Sequence, residues 1–145
     1  MRRVPATCAA MLMAVTLSGA TCDSVDTEAP AQVYRSFATS MNRGDMKVAW
    51  ELLSHDTQAE LTREAQAIAR VRGLPAPADG RQLAFFDSFM LHREIRSTTI
   101  DARTADRATV VVTDDGGGQQ TINTVREGKQ WRVDLTAEIR QANQG

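Results

Sequence analysis

The chain has 145 residues, 42% of them hydrophobic and 24% charged, with a formal net charge of −1. That length fits one domain. The charge is well mixed, with no basic stripe and no long acidic tail, so nucleic acid is not an expected partner.

Met1-Arg2-Arg3 is a positive start, and Cys8–Ala20 is an apolar run without charge. A small-residue stretch, Ser18-Gly19-Ala20-Thr21, then ends at Cys22. This is the layout of a secretory signal peptide. The run is shorter than the roughly 20 apolar residues that a membrane span needs. Two cleavage points are open: after Ala20, with Ser18 and Ala20 as the small pair, or directly before Cys22. Cys8 leaves with the run, so the mature chain keeps one cysteine and forms no internal disulfide. An odd cysteine in an exported protein asks for an explanation. The N-terminus resembles bacterial lipoprotein precursors, in which a cysteine after a small-residue box becomes the lipidated first residue. The resemblance implies lipidation at Cys22, export, and a membrane anchor facing the periplasm or the cell exterior.

Removing residues 1–21 takes two arginines from the 17 basic residues and none of the 18 acids, leaving a net charge of −3. A chain of that size buries about two-thirds of its unfolded surface and holds a core without disulfides or metal. Asp23–Ala29 (DSVDTEA) is polar and reads as a short flexible tether. The organisation is thus residues 1–21 as signal peptide, 22–29 as tether, 30–138 as domain and 139–145 as a frayed tail.

Pro30 suits the first turn of a helix. Val33, Tyr34, Phe37, Ala38 and Met41 follow at helical spacing, and Gly44 is a fitting stop. Asp45 can cap a second helix, with Val48, Ala49, Leu52 and Leu53 on its apolar face and Trp50 beside it. Ser54 ends or recaps it. A third helix runs from about Asp56 to Arg72, with Leu61, Ala65, Ile68 and Arg72 in one row, flanked by Ala67 and Val71. Thr57 and Glu60 fit a capping box for it. Leu74–Gly80 holds two prolines and reads as a loop. A short fourth helix would carry Leu83, Phe86 and Met90 in one row, with Phe85 and Phe89 beside them.

After Leu91 the pattern turns to β. Glu94–Ala102, Arg107–Thr113, Gln120–Arg126 and Gln130–Leu135 read as four strands. Ala108, Val110 and Val112 share one face of the second, and Trp131, Val133 and Leu135 one face of the fourth. Asp114–Gly118 and Glu127-Gly128-Lys129 are the turns. Short links between successive strands imply an antiparallel meander. Helices before strands predict an α+β domain, with N-terminal helices packed on a four-stranded antiparallel meander sheet.

Three stretches carry a further resemblance: Pro30–Arg43, Gly44-Asp45 leading into Ala49–Ser54, and the closing Glu127–Leu135. Together they are similar to the nuclear-transport-factor-2-like (cystatin-like) α+β fold, especially small domains of exported bacterial lipoproteins. The resemblance spans about residues 30–136 and implies a cone-like sheet, in a fold whose members often pair through their sheets as homodimers. Enzymes of its ketosteroid-isomerase-like branch use a tyrosine of the first helix as hydrogen-bond donor and an acid as base. Tyr34 lies where that arrangement needs it.

The candidates for chemistry are few. His55 and His92 lack any metal-ligand or nucleophile–base spacing. Asp87 is acidic within an aromatic run, and burial there would raise its pKa. Tyr34, Asp87 and His92 form the catalytic alternative. Tyr34, Trp50, Phe85, Phe86, Phe89 and Met90 either line an apolar pocket or fill it. Asp114-Asp115-Gly116 lacks the later ligands of a calcium loop. No metal and no cofactor are expected. The leading expectation is a membrane-tethered, exported, non-enzymatic domain. It would bind a small apolar ligand, a peptide or an envelope protein, or serve a structural role. The alternative is an isomerase- or cyclase-like enzyme using Tyr34 and Asp87.

Overall fold

The computed structural model describes residues 29–77, 79–86 and 94–142, with the side chains of 84–86 outside the description. The signal segment, Cys22 and its tether up to residue 28, Asp87, Phe89, Met90 and His92 lie outside the described residues, as do the side chains of Phe85 and Phe86.

The helices α1 (Ala29–Arg43), α2 (Met46–Glu51), α3 (His55–Arg72) and α4 (Arg81–Phe86) precede the strands. The strands β1 (Ile95–Arg103), β2 (Arg107–Asp114), β3 (Gln119–Glu127) and β4 (Gln130–Asp134) are followed by a closing helix, α5 (Thr136–Ala142). The sheet is open and antiparallel, in the order β1-β2-β3-β4. This is the α+β architecture the sequence predicts.

The inner face of the sheet is made by the alternating residues. Ala108, Val110, Val112, Ile122, Thr124 and Val133 are all buried. Helix α1 lays Ala31, Val33, Tyr34 and Phe37 in the core, with Ala38 and Met41 packed partly against it. Strand β1 keeps its apolar side inward by two register shifts, between Ile95 and Ser97 and between Ile100 and Ala102. Each adds a residue, so that Thr98 opposes Val112, Ile100 opposes Val110 and Arg103 opposes Ala108. Gly128, at φ +62, is the first of two turn residues between the paired Glu127 and Gln130. A left-handed glycine there is what a tight hairpin requires.

The outer edge of β4 is covered. Leu53 forms a parallel bridge with Val133. The Ser54 N–H donates to the Val133 carbonyl at 2.8 Å, and the Val133 N–H donates to the Leu52 carbonyl at 2.9 Å. A short stretch between α2 and α3 thus pairs with β4 at Val133 and covers that part of its edge.

Three expectations are corrected. The cap of α3 is Ser54, whose hydroxyl accepts from the Thr57 N–H at 3.1 Å, in place of a Thr57–Glu60 box. Thr57 has no freedom to cap, because its hydroxyl accepts from the Leu135 N–H at 2.9 Å. Glu60 instead pairs with Arg63 at 2.6 Å and Arg140 at 3.5 Å. Helix α3 buries Thr57, Leu61 and Ala69, while Val71 is 89% exposed. The C-terminal segment does not fray at 139. Ile139 donates its N–H to the Leu135 carbonyl and is buried with it in the core, so α5 holds to Ala142.

Candidate functional site

A groove of about 660 Å³ lies along the covered edge of β4, between the start of α1, the α2–α3 junction and the β3–β4 hairpin. Its apolar walls are Ala29, Val33, Val48, Leu52, Leu53 and Trp131. Its polar lining adds Gln32, Glu51, His55, Gln58, Lys129, Gln130 and Arg132. The volume suits a small molecule, and the lining is mixed, with apolar and polar side chains in nearly equal number, more polar than the usual small-molecule site.

Local structure fixes each wall. Trp131 is the second residue of β4, one position beyond the tight turn and opposite Arg126. It is half-buried rather than fully packed in the core, which corrects the expectation drawn from the alternation of β4. Val133, two residues on, is completely buried. Trp131 packs partly against the core and also lines the groove. The Arg103 guanidinium stands 5.2 Å from the centre of that ring, within cation–π range. The Arg132 Nη2 donates to the Gln130 side-chain oxygen at 2.6 Å.

His55 opens α3 and meets the hairpin. Its backbone N–H donates to Glu127 Oε1 at 2.8 Å, and its Nδ1 lies 3.1 Å from Glu127 Oε2. The Glu127 carboxylate thereby satisfies an otherwise unpaired N–H at the start of a helix, where negative charge is favoured. Gln58 donates its amide to the Trp50 carbonyl at 2.7 Å, holding the end of α2 against α3. Trp50 does not reach the groove. It lines a neighbouring hollow of about 570 Å³ with Ala59, Thr62, Arg63, Gln66 and Asp79, and the two share His55 and Gln58.

Tyr34 is on the other side of α1 from this groove. It is 6% exposed, its ring centre 6.3 Å from that of Phe37. The Gln120 Nε2 donates to its hydroxyl oxygen at 2.7 Å. Burial pushes the Tyr34 phenol above its ordinary value, against the opposing effect of the Gln120 bond, so the group stays neutral at physiological pH. Tyr34 lines neither the groove nor the hollow. The residues named with it, Asp87 and His92, lie outside the described residues. Among the described residues no three His, Cys, Asp or Glu side chains gather closely enough to hold a metal ion, and no helix is long and apolar enough to cross a membrane.

The sequence names none of the groove as a site. Its parts come from three separate stretches of the chain, and the pairing of His55 with Glu127 joins positions 72 apart. The one local signal is Lys129 and Arg132 flanking Trp131 at a turn, which leaves the tryptophan short of full cover. No protein-family model matches the chain, and comparison with the curated proteins and with the solved structures finds no match either.

Proposed function

We propose that this protein is an exported, lipid-anchored domain of the cell envelope, built on a nuclear-transport-factor-2-like frame, that binds a ligand or partner rather than transforming it. The observation that carries the reading is the groove beside Ala29. Ala29 is the residue at which the tether from Cys22 joins the domain. An apolar wall there, closed by Trp131 and rimmed by amides and charges, fits a small apolar ligand with a polar end or a peptide side chain. The core between α1 and the sheet is filled by Tyr34, Phe37, Val110, Ile122 and Val133, which supports a structural role for Tyr34. Pairing of two copies through the outer sheet face belongs to the same proposal.

The test is a thermal-shift screen of the mature chain, residues 22–145, against small apolar compounds and envelope-derived peptides. Binding raises the melting temperature by mass action. The expected result is a ligand whose shift is lost in Gln32→Ala or Lys129→Ala. The isomerase-like alternative is separated by Tyr34→Phe and Asp87→Asn in complementation of a deletion strain. Both variants should retain function. Loss in both, with protein level and melting temperature unchanged, would overturn the binding reading, since removing a general base costs about 10²–10⁴-fold in rate.

A further inference from the structure

The two hairpins at one end of the sheet are basic. Residues 103–107 and 126–132 carry five cations, Arg103, Arg107, Arg126, Lys129 and Arg132, against two carboxylates, Asp106 and Glu127. Glu127 is already engaged by His55, and Asp106 accepts from the Thr104 hydroxyl at 3.0 Å. The opposite end carries Glu94, Asp114 and Asp115, with Arg96 as its cation. A domain whose mature chain is net acidic therefore has its charge polarised along the strands.

Trp131 stands amid the basic end. Arg103 lies over its ring, Arg126 is its cross-strand partner, and Lys129 and Arg132 flank it. Tryptophan is the side chain most at home where water meets a bilayer. The tether joins at this same end, because Ala29 lines the groove with Lys129, Trp131 and Arg132. Six residues lie between Cys22 and Ala29, and the seven steps between them reach at most about 25 Å when fully extended.

We infer that the basic end of the sheet is a membrane-docking surface that binds anionic phospholipid headgroups, with Trp131 at the interface and the groove mouth turned to the bilayer. The inference rests on the reading of Cys22 as the lipid anchor. An anionic leaflet attracts each nearby Lys or Arg, and a charge-polarised domain is oriented by that field. Asp23, Asp26 and Glu28 in the tether offset part of the attraction. The unanchored chain should therefore bind weakly, and anchoring converts weak contact into stable orientation by raising the effective concentration.

The experiment uses the mature chain, residues 22–145, with Cys22→Ser so that no lipid is attached. Among the described residues the buried core lies between Pro30 and Ile139, so this chain contains the whole described core. It is sedimented with vesicles of mixed phosphatidylglycerol and phosphatidylcholine, and with phosphatidylcholine alone. The expected result is binding to the anionic vesicles only, weakening as salt is raised. Arg126→Ala and Lys129→Ala, both exposed, should each lower the partition coefficient about fivefold. Arg70→Ala and Arg72→Ala, at the far end of α3 and about 25 Å along its axis from His55, should leave it unchanged. Circular dichroism melting of each variant confirms the fold. Equal binding to both vesicle types, or equal loss in the Arg70 and Arg72 variants, overturns the inference. Binding that appears only after Asp23, Asp26 and Glu28 are neutralised also overturns it, by showing that the tether covers the surface. A lipidated Cys22 without vesicle binding removes this surface and leaves the anchor standing. Vesicle binding by a chain whose native N-terminus proves unmodified supports the surface and removes the anchor.

Discussion

Thr57 is wholly buried, and its hydroxyl joins three elements. It accepts from the Leu135 N–H at 2.9 Å and from the Ser54 hydroxyl at 2.8 Å, and donates to Asp134 Oδ1 at 3.2 Å. Asp134 Oδ1 also accepts from the Thr136 N–H at 3.1 Å and hydroxyl at 2.6 Å, at the start of α5. One node thus ties the cap of α3 to the end of β4 and the beginning of α5. Thr57→Val keeps the shape and strips the hydroxyl, which leaves a buried N–H unpaired. The expected loss is about 1–3 kcal/mol in urea unfolding. A loss below about 0.5 kcal/mol would mean that the node does not hold the elements together. Glu138 shows the opposite balance. Its Oε2 is buried without a partner. Burial first, and the Asp134 carboxylate with it, hold the Glu138 carboxyl above its ordinary 4.5, with its own backbone N–H pulling the other way. A raised carboxyl favours the folded state at low pH, and that contribution is lost as pH rises through the folded value. Glu138→Gln should therefore stabilise the protein near neutral pH by less than about 1 kcal/mol. The gain should vanish below the ordinary glutamate value, and melting curves at two pH values read it. A pH-independent change would show that packing, not ionisation, sets the effect. The Thr57 node is not legible in the sequence, because its partners in β4 and α5 lie 77 to 79 positions away.

At the scale of elements, the strands were read closely and the helix ends less so. Alternation over Arg107–Asp114 and Gln119–Glu127 carries the inner face directly, since each second residue must meet the helices. The two shifts in β1 were not readable, because they are set by what β2 places opposite. The sequence assigns Ser54 to the end of the second helix and a Thr57–Glu60 box to the third, whereas Ser54 caps α3 where the bridge of Leu53 to Val133 turns the chain. The loop before α4 has a sharper constraint. The Gly80 N–H donates to the Thr62 hydroxyl at 3.0 Å, and a Cβ at Gly80 would overlap Leu61 C and Thr62 N of the α3 backbone. Helix backbone cannot give way as a side-chain tip can. Gly80→Ala should therefore destabilise by about 1–3 kcal/mol, read by thermal melting, and Gly116→Ala, which meets only an Asp114 side chain, by less. Equal melting temperatures for the two variants would show that α3 and the loop move apart freely. Trp131→Ala belongs to this scale as well. A half-buried ring closing a groove should contribute about 1–3 kcal/mol, less than the 3–5 typical of a fully buried tryptophan. A loss within that higher range in urea unfolding would place the ring in the core rather than at its rim.

The whole molecule has a direction. The first described residue, Ala29, the groove, the half-buried Trp131 and the basic hairpins gather at one end of the sheet, and three carboxylates mark the other. The fold class was legible from the order of helical and alternating segments. The groove was not, because it exists only where α1, the α2–α3 junction and the β3–β4 turn meet. The proposed place in the cell rests on the N-terminus. The proposed function, an envelope module held at a membrane, stands or falls on the chemistry of one residue. The most direct measurement is the intact mass of the mature protein recovered from the membrane fraction of the producing cell, with fragmentation of its first residues. The predicted result is a chain beginning at Cys22 that carries a thioether-linked diacylglycerol. An unmodified chain beginning at Thr21, recovered away from the membranes, would contradict it.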